Sequence, residues 1–266
     1  MSDVTDTTGE KSTEAEEREM SFLDHLEELR WRIIKALAGI VIGAVVCAIF
    51  IDWLVNQVLL RPVLLVNSSL AAGQQPIHLQ NLKPFGQVFL YMEVAIVGGI
   101  VLSIPNILYQ LWAFIAPGLM PHERRYIKAI VFFSSVCFLA GITFSYFVML
   151  PTALNFFAGF GSPEIVNNIA INEYMSFIIS VMLGAGLVFE LPMASWFLSK
   201  LGLLTPAFMR RYRRHAVVAI FIVAAVLTPG TDPVSQVLLA IPLFLLYEIS
   251  IGVSAMAGRP RRQESP

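Results

Sequence analysis

The chain has 266 residues, of which 56% are apolar and only 14% are charged. Soluble domains carry about 25% charged residues, so this composition excludes an ordinary soluble globule and indicates a chain surrounded mainly by lipid. The formal net charge of −1 gives no overall field that would attract nucleic acid. Cys47 and Cys137 each lie inside a long apolar run without a C-x-x-C partner, and we interpret both as small apolar side chains.

The chain begins with an acidic tail, residues 1–20, that holds seven acidic side chains and almost no large apolar ones. Such a segment buries too little surface to offset its chain entropy, so we expect it to be disordered. Residues 21–32 follow, with Phe22, Leu26 and Leu29 at helical spacing. This pattern predicts an amphipathic helix on the inner membrane face that runs into the first span.

Six apolar stretches follow the tail, at residues 33–53, 88–111, 126–150, 174–198, 216–227 and 234–251. They do not alternate as membrane strands do, and a bilayer core of about 30 Å needs about 20 helical residues. The sequence therefore predicts six membrane-spanning helices. The fifth stretch would reach only about 18 Å, so the fifth and sixth helices are expected to form a short hairpin.

The basic residues predict the orientation, because cytoplasmic loops carry an excess of Lys and Arg. With the N-terminus inside, 16 of the 18 basic residues lie in the four inner segments, and only Arg61 and Lys83 lie outside. Both termini are therefore expected in the cytoplasm. The outer segments 55–87 and 151–173 contain Pro, Gly and apolar side chains, and we expect them to pack as two cap loops over the helix ends.

The sequence lacks the H-E-x-x-H, G-x-S-x-G and Walker A patterns. Its four histidines are scattered, and no pair has the spacing of metal ligands. We therefore predict neither an enzyme nor a metal or cofactor site.

Glu190 is the acidic residue in the least expected place. It precedes Lys200 by ten residues, which puts it about 15 Å deep, near the middle of the bilayer. An acid there costs roughly 2.5–3.5 kcal/mol, so it should be protonated, paired or beside a wet cavity. We interpret Glu190 as a functional residue. The alternative is a structural role, in which the protonated side chain only forms a hydrogen bond to a neighbouring helix. Pro192 is expected to kink the helix here. Glu93 and Glu248 lie nearer the surfaces, where simple contact with water explains them equally well.

Two inner segments, 21–32 and 108–125, combine acidic, basic and aromatic residues. Glu28 and Arg32 have the i,i+4 spacing of a helical ion pair, which is worth only a few tenths of a kcal/mol. Glu123 lies among basic residues and would form a local ion pair on the simplest interpretation. The Trp and Tyr residues of the second segment suit an interfacial belt.

Six motifs in these segments together resemble the TatC family, the polytopic subunit of the Sec-independent twin-arginine protein translocase. They are H-L-E-E-L-R at 25–30, Y-Q-L-W-A-F-I-A-P-G-L at 109–119, H-E-R-R at 122–125, F-E-L-P at 189–192, L-T-P-G-T-D-P-V-S-Q at 227–236 and L-L-A-I-P at 238–242. The resemblance implies a concave six-helix domain over residues 21–252. The short basic tail at 253–266 lies outside the resemblance, and the distribution of basic residues places it in the cytoplasm.

The resemblance also implies a function. TatC-like proteins of the bacterial cytoplasmic membrane bind the twin-arginine signal peptides of folded precursors. With single-span TatA and TatB partners they export these precursors, driven by the proton-motive force, and they self-associate in a larger complex.

The resemblance further implies site residues. Those matching the signal-peptide site are Glu28, Glu123, Arg30 and Phe114. Glu190 matches the intramembrane acid. The outer-side matches are Pro62, Asp232, Ser235 and Gln236. The T-P-G-T-D hairpin is one residue longer than the family's T-P-P-D form, which changes the expected position of Asp232.

The residues themselves leave three other classes of protein as alternatives. A secondary transporter would use Glu190 as a proton relay and carry inverted repeats, which the sequence does not show. An ion channel would need a polar stripe or filter, and none is evident. A structural scaffold would tolerate loss of Glu28, Glu123 and Glu190.

Overall fold

The computed structural model describes residues 8–70, 76–115, 127–159, 168–227 and 233–257, and for 8–23, 226–227, 233–235 and 238 it gives the backbone alone. The terms inner and outer refer to the two sides of the membrane that the basic residues predict. The elements before the second span are α1 (Thr8–Ile49), α2 (Ile51–Trp53), the π-helix π1 (Leu54–Leu59), α3 (Arg61–Ser68) and β1 (His78–Gln80).

The middle of the chain forms α4 (Gly86–Ile115), α5 (Ile127–Phe144), the π-helix π2 (Ser145–Met149), α6 (Leu150–Gly159) and β2 (Asn168–Ala170). The remaining elements are α7 (Ile171–Val188), α8 (Leu191–Lys200), α9 (Pro206–Arg211), α10 (Arg213–Leu227) and α11 (Pro233–Ala257).

Five helical segments of the described residues are long and apolar enough to cross a membrane: Asp24–Ile49, Gly86–Ile115, Ile127–Gly159, Ile171–Lys200 and Leu239–Ala257. The predicted all-α, multi-span membrane fold is confirmed. The short fifth stretch corresponds to α10, whose 15 residues reach about 22 Å, less than the bilayer core. The count of six spans therefore stays a prediction.

The structure differs from the sequence prediction at the acidic tail. Helix α1 begins at Thr8, so residues 8–20, for which we expected disorder, have a helical backbone. The physical reason is local, because Glu, Lys, Ala and Arg are strong helix formers and supply most of this segment. Low hydrophobicity argues against a packed core, but it does not prevent a helix that continues an adjoining span.

Helices α1 and α4 pack closely because small residues line their contact. A Cβ atom placed on Gly99 would lie 2.5 Å from the backbone nitrogen of Ala44, which leaves no room for a side chain. On Gly43 it would lie 2.7 Å from the carbonyl oxygen of Gly99. The Ser103 hydroxyl donates to the Gly39 carbonyl oxygen at 2.6 Å. This pairing fixes the first two spans against each other.

Hydrogen bonds from other helices stabilise the first outer loop next to Pro62, the second residue of α3. Proline lacks the N–H that would bond the Val58 carbonyl four residues earlier. The Tyr146 hydroxyl of π2 donates to that carbonyl oxygen instead, at 2.8 Å. The buried Tyr174 hydroxyl of α7 donates to the Leu59 carbonyl oxygen, also at 2.8 Å. Two tyrosines from distant segments thus hold π1 in place.

The two outer loops also join each other. The Asn67 side chain makes two hydrogen bonds to the backbone of Ile77, both 2.9 Å long. Strand β1 then pairs in parallel with β2 of the second outer loop, with Leu79 opposite Ile169. Val63, Val66 and Ile77 are part of the main apolar core. The expectation that both loops pack as caps is confirmed for the described residues.

A second apolar cluster lies toward the inner side, between α4, α5 and α8. Trp112 packs edge-on against Phe197, with ring centroids 4.5 Å apart. The buried hydroxyls of Ser199 and Ser254 lie 2.5 Å apart and join α8 to α11. The inner ends of these helices are therefore held by both apolar and polar contacts.

Candidate functional site

Glu28 lies near the inner end of the first span, on α1. The Arg32 guanidinium binds it through both Nε and Nη2, and the Nε–Oε1 distance is 3.0 Å. His25 Nδ1 lies 3.9 Å from the other carboxylate oxygen. The Glu28 side chain keeps 33% of its surface exposed, so water and a ligand can still reach it. The helical ion pair predicted from the i,i+4 spacing is confirmed.

Phe114 packs against His25, the residue whose Nδ1 lies near the Glu28 carboxylate. The two rings are stacked, with centroids 4.4 Å apart and planes 16° from parallel. The stack connects the inner end of α4 to the segment of α1 that carries Glu28. The sequence alone did not predict a role for His25. The available signal was its place three residues before Glu28, on the same helical face.

Of the other two predicted members of the signal-peptide site, only Arg30 lies among the described residues. Arg30 is exposed. It is only two residues from Glu28, so the two side chains leave the helix on different faces. Glu123 lies outside the described residues. The convergence of Glu28 and Glu123 therefore stays a prediction.

Glu190 sits at the junction of α7 and α8, where the helix is interrupted. Residues Phe189 and Glu190 form a turn, and Pro192 occupies the first turn of α8. The predicted kink is confirmed. The half-buried carboxyl group lies beside the Ser134 hydroxyl of α5. Among the described residues, its buried Oε1 has no hydrogen-bond partner.

The structure describes the side chains of two of the four predicted outer residues, Pro62 and Gln236. Pro62 is buried in α3, as described above. The Gln236 amide donates to the Phe221 carbonyl oxygen at 2.9 Å, which joins α11 to α10. Asp232 lies outside the described residues, and for Ser235 only the backbone is described.

One ion pair could not be predicted from the sequence. Arg213 Nη2 donates to Glu248 Oε2 at 2.5 Å, between α10 and α11. The neighbouring Tyr247 hydroxyl donates to the Met209 carbonyl oxygen at 2.8 Å. Glu248 therefore stabilises the contact between α10 and α11, so contact with water is not its only role. No local pattern marks it, because its partner is 35 positions away in sequence.

Among the described residues, no group of three His, Cys, Asp or Glu side chains is placed to hold a metal ion. The chemistry that the inner site offers is thus ionic and aromatic: a carboxylate that already binds a guanidinium, next to a stacked ring pair.

The sequence model of the family described as "Sec-independent protein translocase protein (TatC)" matches residues 24–242. This range includes Glu28, Phe114 and Glu190. The chain belongs to the TatC family. Its TatC relatives include the Sec-independent protein translocase protein TatC of Koribacter versatilis, 36% identical over 92% of this chain and 90% of that protein.

Other TatC relatives are equally similar. The TatC of Carboxydothermus hydrogenoformans is 37% identical over 90% of this chain and 94% of that protein. The chloroplastic TATC of Pisum sativum is 38% identical over 92% of this chain and 66% of that protein.

A solved structure agrees with the fold. The crystal structure of the twin-arginine translocase receptor TatC superposes with a TM-score of 0.76 at 33% identity, and it covers 88% of this chain and 100% of that chain. A crystal structure of the same receptor in the detergent DDM gives a TM-score of 0.74 over 86% of this chain. The chain is therefore a multi-span component of the twin-arginine protein transport system.

Proposed function

We propose that this TatC protein is the receptor subunit that binds the twin-arginine signal peptides of folded precursors at the cytoplasmic face. The observation that carries the proposal is Glu28, a partly exposed carboxylate that already binds one guanidinium, that of Arg32. A signal-peptide arginine offers the same planar group, so it can replace Arg32 without a change in the chemistry of the site.

Guanidinium and carboxylate have matching geometries. Arginine presents a rigid fork of N–H donors that can bond both carboxylate oxygens, whereas lysine is a compact point charge. Glu28 and Glu123 lie on separate inner segments, and each would take one arginine of the pair. Phe114 is stacked on His25, which lies beside Glu28, and Arg30 is exposed on the same helix. The apolar face of α1 and the Phe114 ring supply a surface for the apolar part of the signal.

Glu190 has a second role in the proposal. Its carboxyl group is half-buried in the helix junction, and Oε1 has no partner among the described residues. It offers a hydrogen-bonding partner to a helix that enters the membrane beside α5 and α7. The single-span TatA and TatB proteins are the partners with which this subunit assembles, and copies of the chain associate within the same complex. Export is driven by the proton-motive force rather than by catalysis in this chain.

A pull-down separates the receptor role from a scaffold role. Membranes that hold the protein are incubated with a folded precursor that carries either an Arg-Arg or a Lys-Lys signal. The substitutions E28Q and E123Q should each weaken Arg-Arg binding and reduce its advantage over Lys-Lys, without lowering the amount of protein in the membrane. E27Q is the matched control, because Glu27 is exposed and adjacent to Glu28 but leaves the helix on another face.

Two results would contradict the proposal. One is a double variant, E28Q with E123Q, that keeps the full Arg-Arg preference. The other is an equal loss in E27Q and E28Q, which would point to the net charge of the inner face instead of to a site.

The proposed location is the bacterial cytoplasmic membrane, with six spans and both termini inside. Cysteine labelling tests the orientation after Cys47 and Cys137 are replaced by alanine. A thiol at Ser68, which is exposed in the outer cap, should react with an impermeant maleimide added from outside. A thiol at Arg211, exposed between α9 and α10, should react only after the membrane is opened. The opposite pattern would invert the topology.

A further inference from the structure

A groove with a volume of about 500 Å³ opens between α1, α4, α5 and α7. Apart from the thiol of Cys47, every side chain that lines it is apolar, including Val101, Leu139 and Met182. The lining residues lie mainly within the helices that cross the membrane. The medium that surrounds the open side of the groove is therefore lipid rather than water.

The length of the groove suits a hydrocarbon chain. Its lining on α4 runs from Val94 to Pro105, which is about 16 Å along the helix axis. One leaflet of a bilayer core of about 30 Å is about 15 Å deep, so the acyl chain of a phospholipid and this lining have about the same length.

The outer end of the groove carries a positive charge. Val58 of π1 lines it, and the Tyr146 hydroxyl bonds the Val58 carbonyl oxygen. Arg61 follows Val58 by three residues, is exposed, and lies close enough to act electrostatically on Tyr146. No acidic side chain among the described residues lies within 4.0 Å of the Arg61 guanidinium. Within the described part of the chain its guanidinium has no ion-pair partner, so it can bind an anion.

From these features we propose that the groove binds one phospholipid of the outer leaflet. One acyl chain lies along α4 between Val94 and Pro105, and the phosphate pairs with Arg61. Charge complementarity sets the orientation, because guanidinium binds phosphate bidentately at the surface while the chain fills the apolar groove. The lipid completes the packing between four spans, so it acts as a structural ligand. This site is separate from the proposed signal-peptide site at Glu28 and does not depend on it.

Native mass spectrometry of the full-length protein in detergent tests the proposal. The two probes are palmitoyl-oleoyl phosphatidylglycerol and the matching diacylglycerol, which has the same chains without the phosphate. Wild-type protein should bind one molecule of the phospholipid and prefer it to the diacylglycerol. V101W, which places a large ring inside the groove, should lose both ligands. V41W is the matched control, since Val41 is 61% exposed on α1 and does not line the groove.

R61Q tests the headgroup contact without altering the buried lining. It should reduce the preference for phosphatidylglycerol over diacylglycerol by about 1.4- to 5-fold, as expected for the loss of one exposed ion pair. Diacylglycerol binding should not change. Thermal melting of V101W and V41W checks that both variants fold.

Two outcomes would overturn the proposal. If folded V101W binds phosphatidylglycerol as well as wild-type protein does, the lipid is not in the groove. If R61Q keeps the full preference for phosphatidylglycerol, Arg61 does not hold the phosphate. Loss of crosslinks to a partner helix in V101W, with unchanged lipid binding, would assign the groove to a protein and would also refute the proposal.

Discussion

Replacing Arg32 by Gln should strengthen the binding of a twin-arginine signal peptide. Arg32 occupies the Glu28 carboxylate in the structure, with the Nε–Oε1 distance at 3.0 Å. An incoming arginine must displace this guanidinium before it can bind in the same way. Glutamine keeps much of the length of the side chain but removes the charge, so the carboxylate is left without its resident cation. This expectation is opposite to that for E28Q, which removes the carboxylate charge itself.

The size of the effect follows from the exposure of the pair. The side chains of Arg32 and Glu28 are 22% and 33% exposed, so the ion pair is partly screened by solvent. Pairs of this kind contribute about 0.2–1 kcal/mol. Removing the competitor should therefore tighten signal-peptide binding by about 1.4- to 5-fold. The gain should be smaller at high salt, because the competition that it removes is electrostatic.

The assay is a titration of protein in nanodiscs with a fluorescent Arg-Arg signal peptide, at low and high salt. K35Q is the matched control, since Lys35 is exposed on the same helix and its loss changes the net charge equally. Lys35 lies seven residues, about two turns, beyond Glu28, too far along the helix to pair with it. An equal gain in K35Q and R32Q would show that only the charge of the inner face matters. Weaker binding in R32Q would mean that Arg32 orients Glu28 instead of competing for it.

Three further predictions concern the scaffold and the intramembrane acid. Y174F should lower the free energy of unfolding by about 1–3 kcal/mol, seen as a lower Tm, because the buried Leu59 carbonyl loses its hydroxyl donor; an unchanged Tm would show that another group replaces it. G99V should separate α1 from α4 and reduce the folded yield, because its Cβ would lie 2.5 Å from the Ala44 nitrogen; wild-type yield would contradict this. E190A should reduce crosslinking to TatA and TatB at an unchanged protein level, whereas E190Q, which can still form hydrogen bonds, should retain most of it; equal losses would show that the charge is needed.

The membrane-spanning helices could be predicted from sequence because few backbone conformations satisfy their hydrogen bonds within lipid. An apolar run that cannot bond water must satisfy its own N–H and C=O groups, and a helix does so locally. The five long helices therefore coincide with apolar runs, and the kink at Pro192 follows from a missing donor. The length of α10 was also predictable, since Arg213 and Arg214 mark one end of its apolar run.

Features that depend on distant partners could not be predicted in this way. The two π-helices, 54–59 and 145–149, have no sequence signature of their own. The pairing of β1 with β2 joins loops that are separated by two spans. At the inner site, the i,i+4 rule indicated the contact of Glu28 with Arg32. The stacking of His25 on Phe114 required the packing of α1 against α4, which a single sequence does not reveal.

The two prolines at helix irregularities differ in what surrounds them. At Pro62, the carbonyl that lacks its helical donor is bonded by Tyr146, and Tyr174 bonds the next carbonyl, so the polar groups there are satisfied within the chain. At Pro192, the adjacent Glu190 keeps a buried carboxyl oxygen without a hydrogen-bond partner among the described residues. An unsatisfied polar group costs more in lipid than in water. A helix that brought a hydrogen-bond donor would therefore gain more at Glu190 than at the outer cap. The same reasoning makes the Pro192 junction, and not the Pro62 junction, the place where an incoming membrane helix should dock.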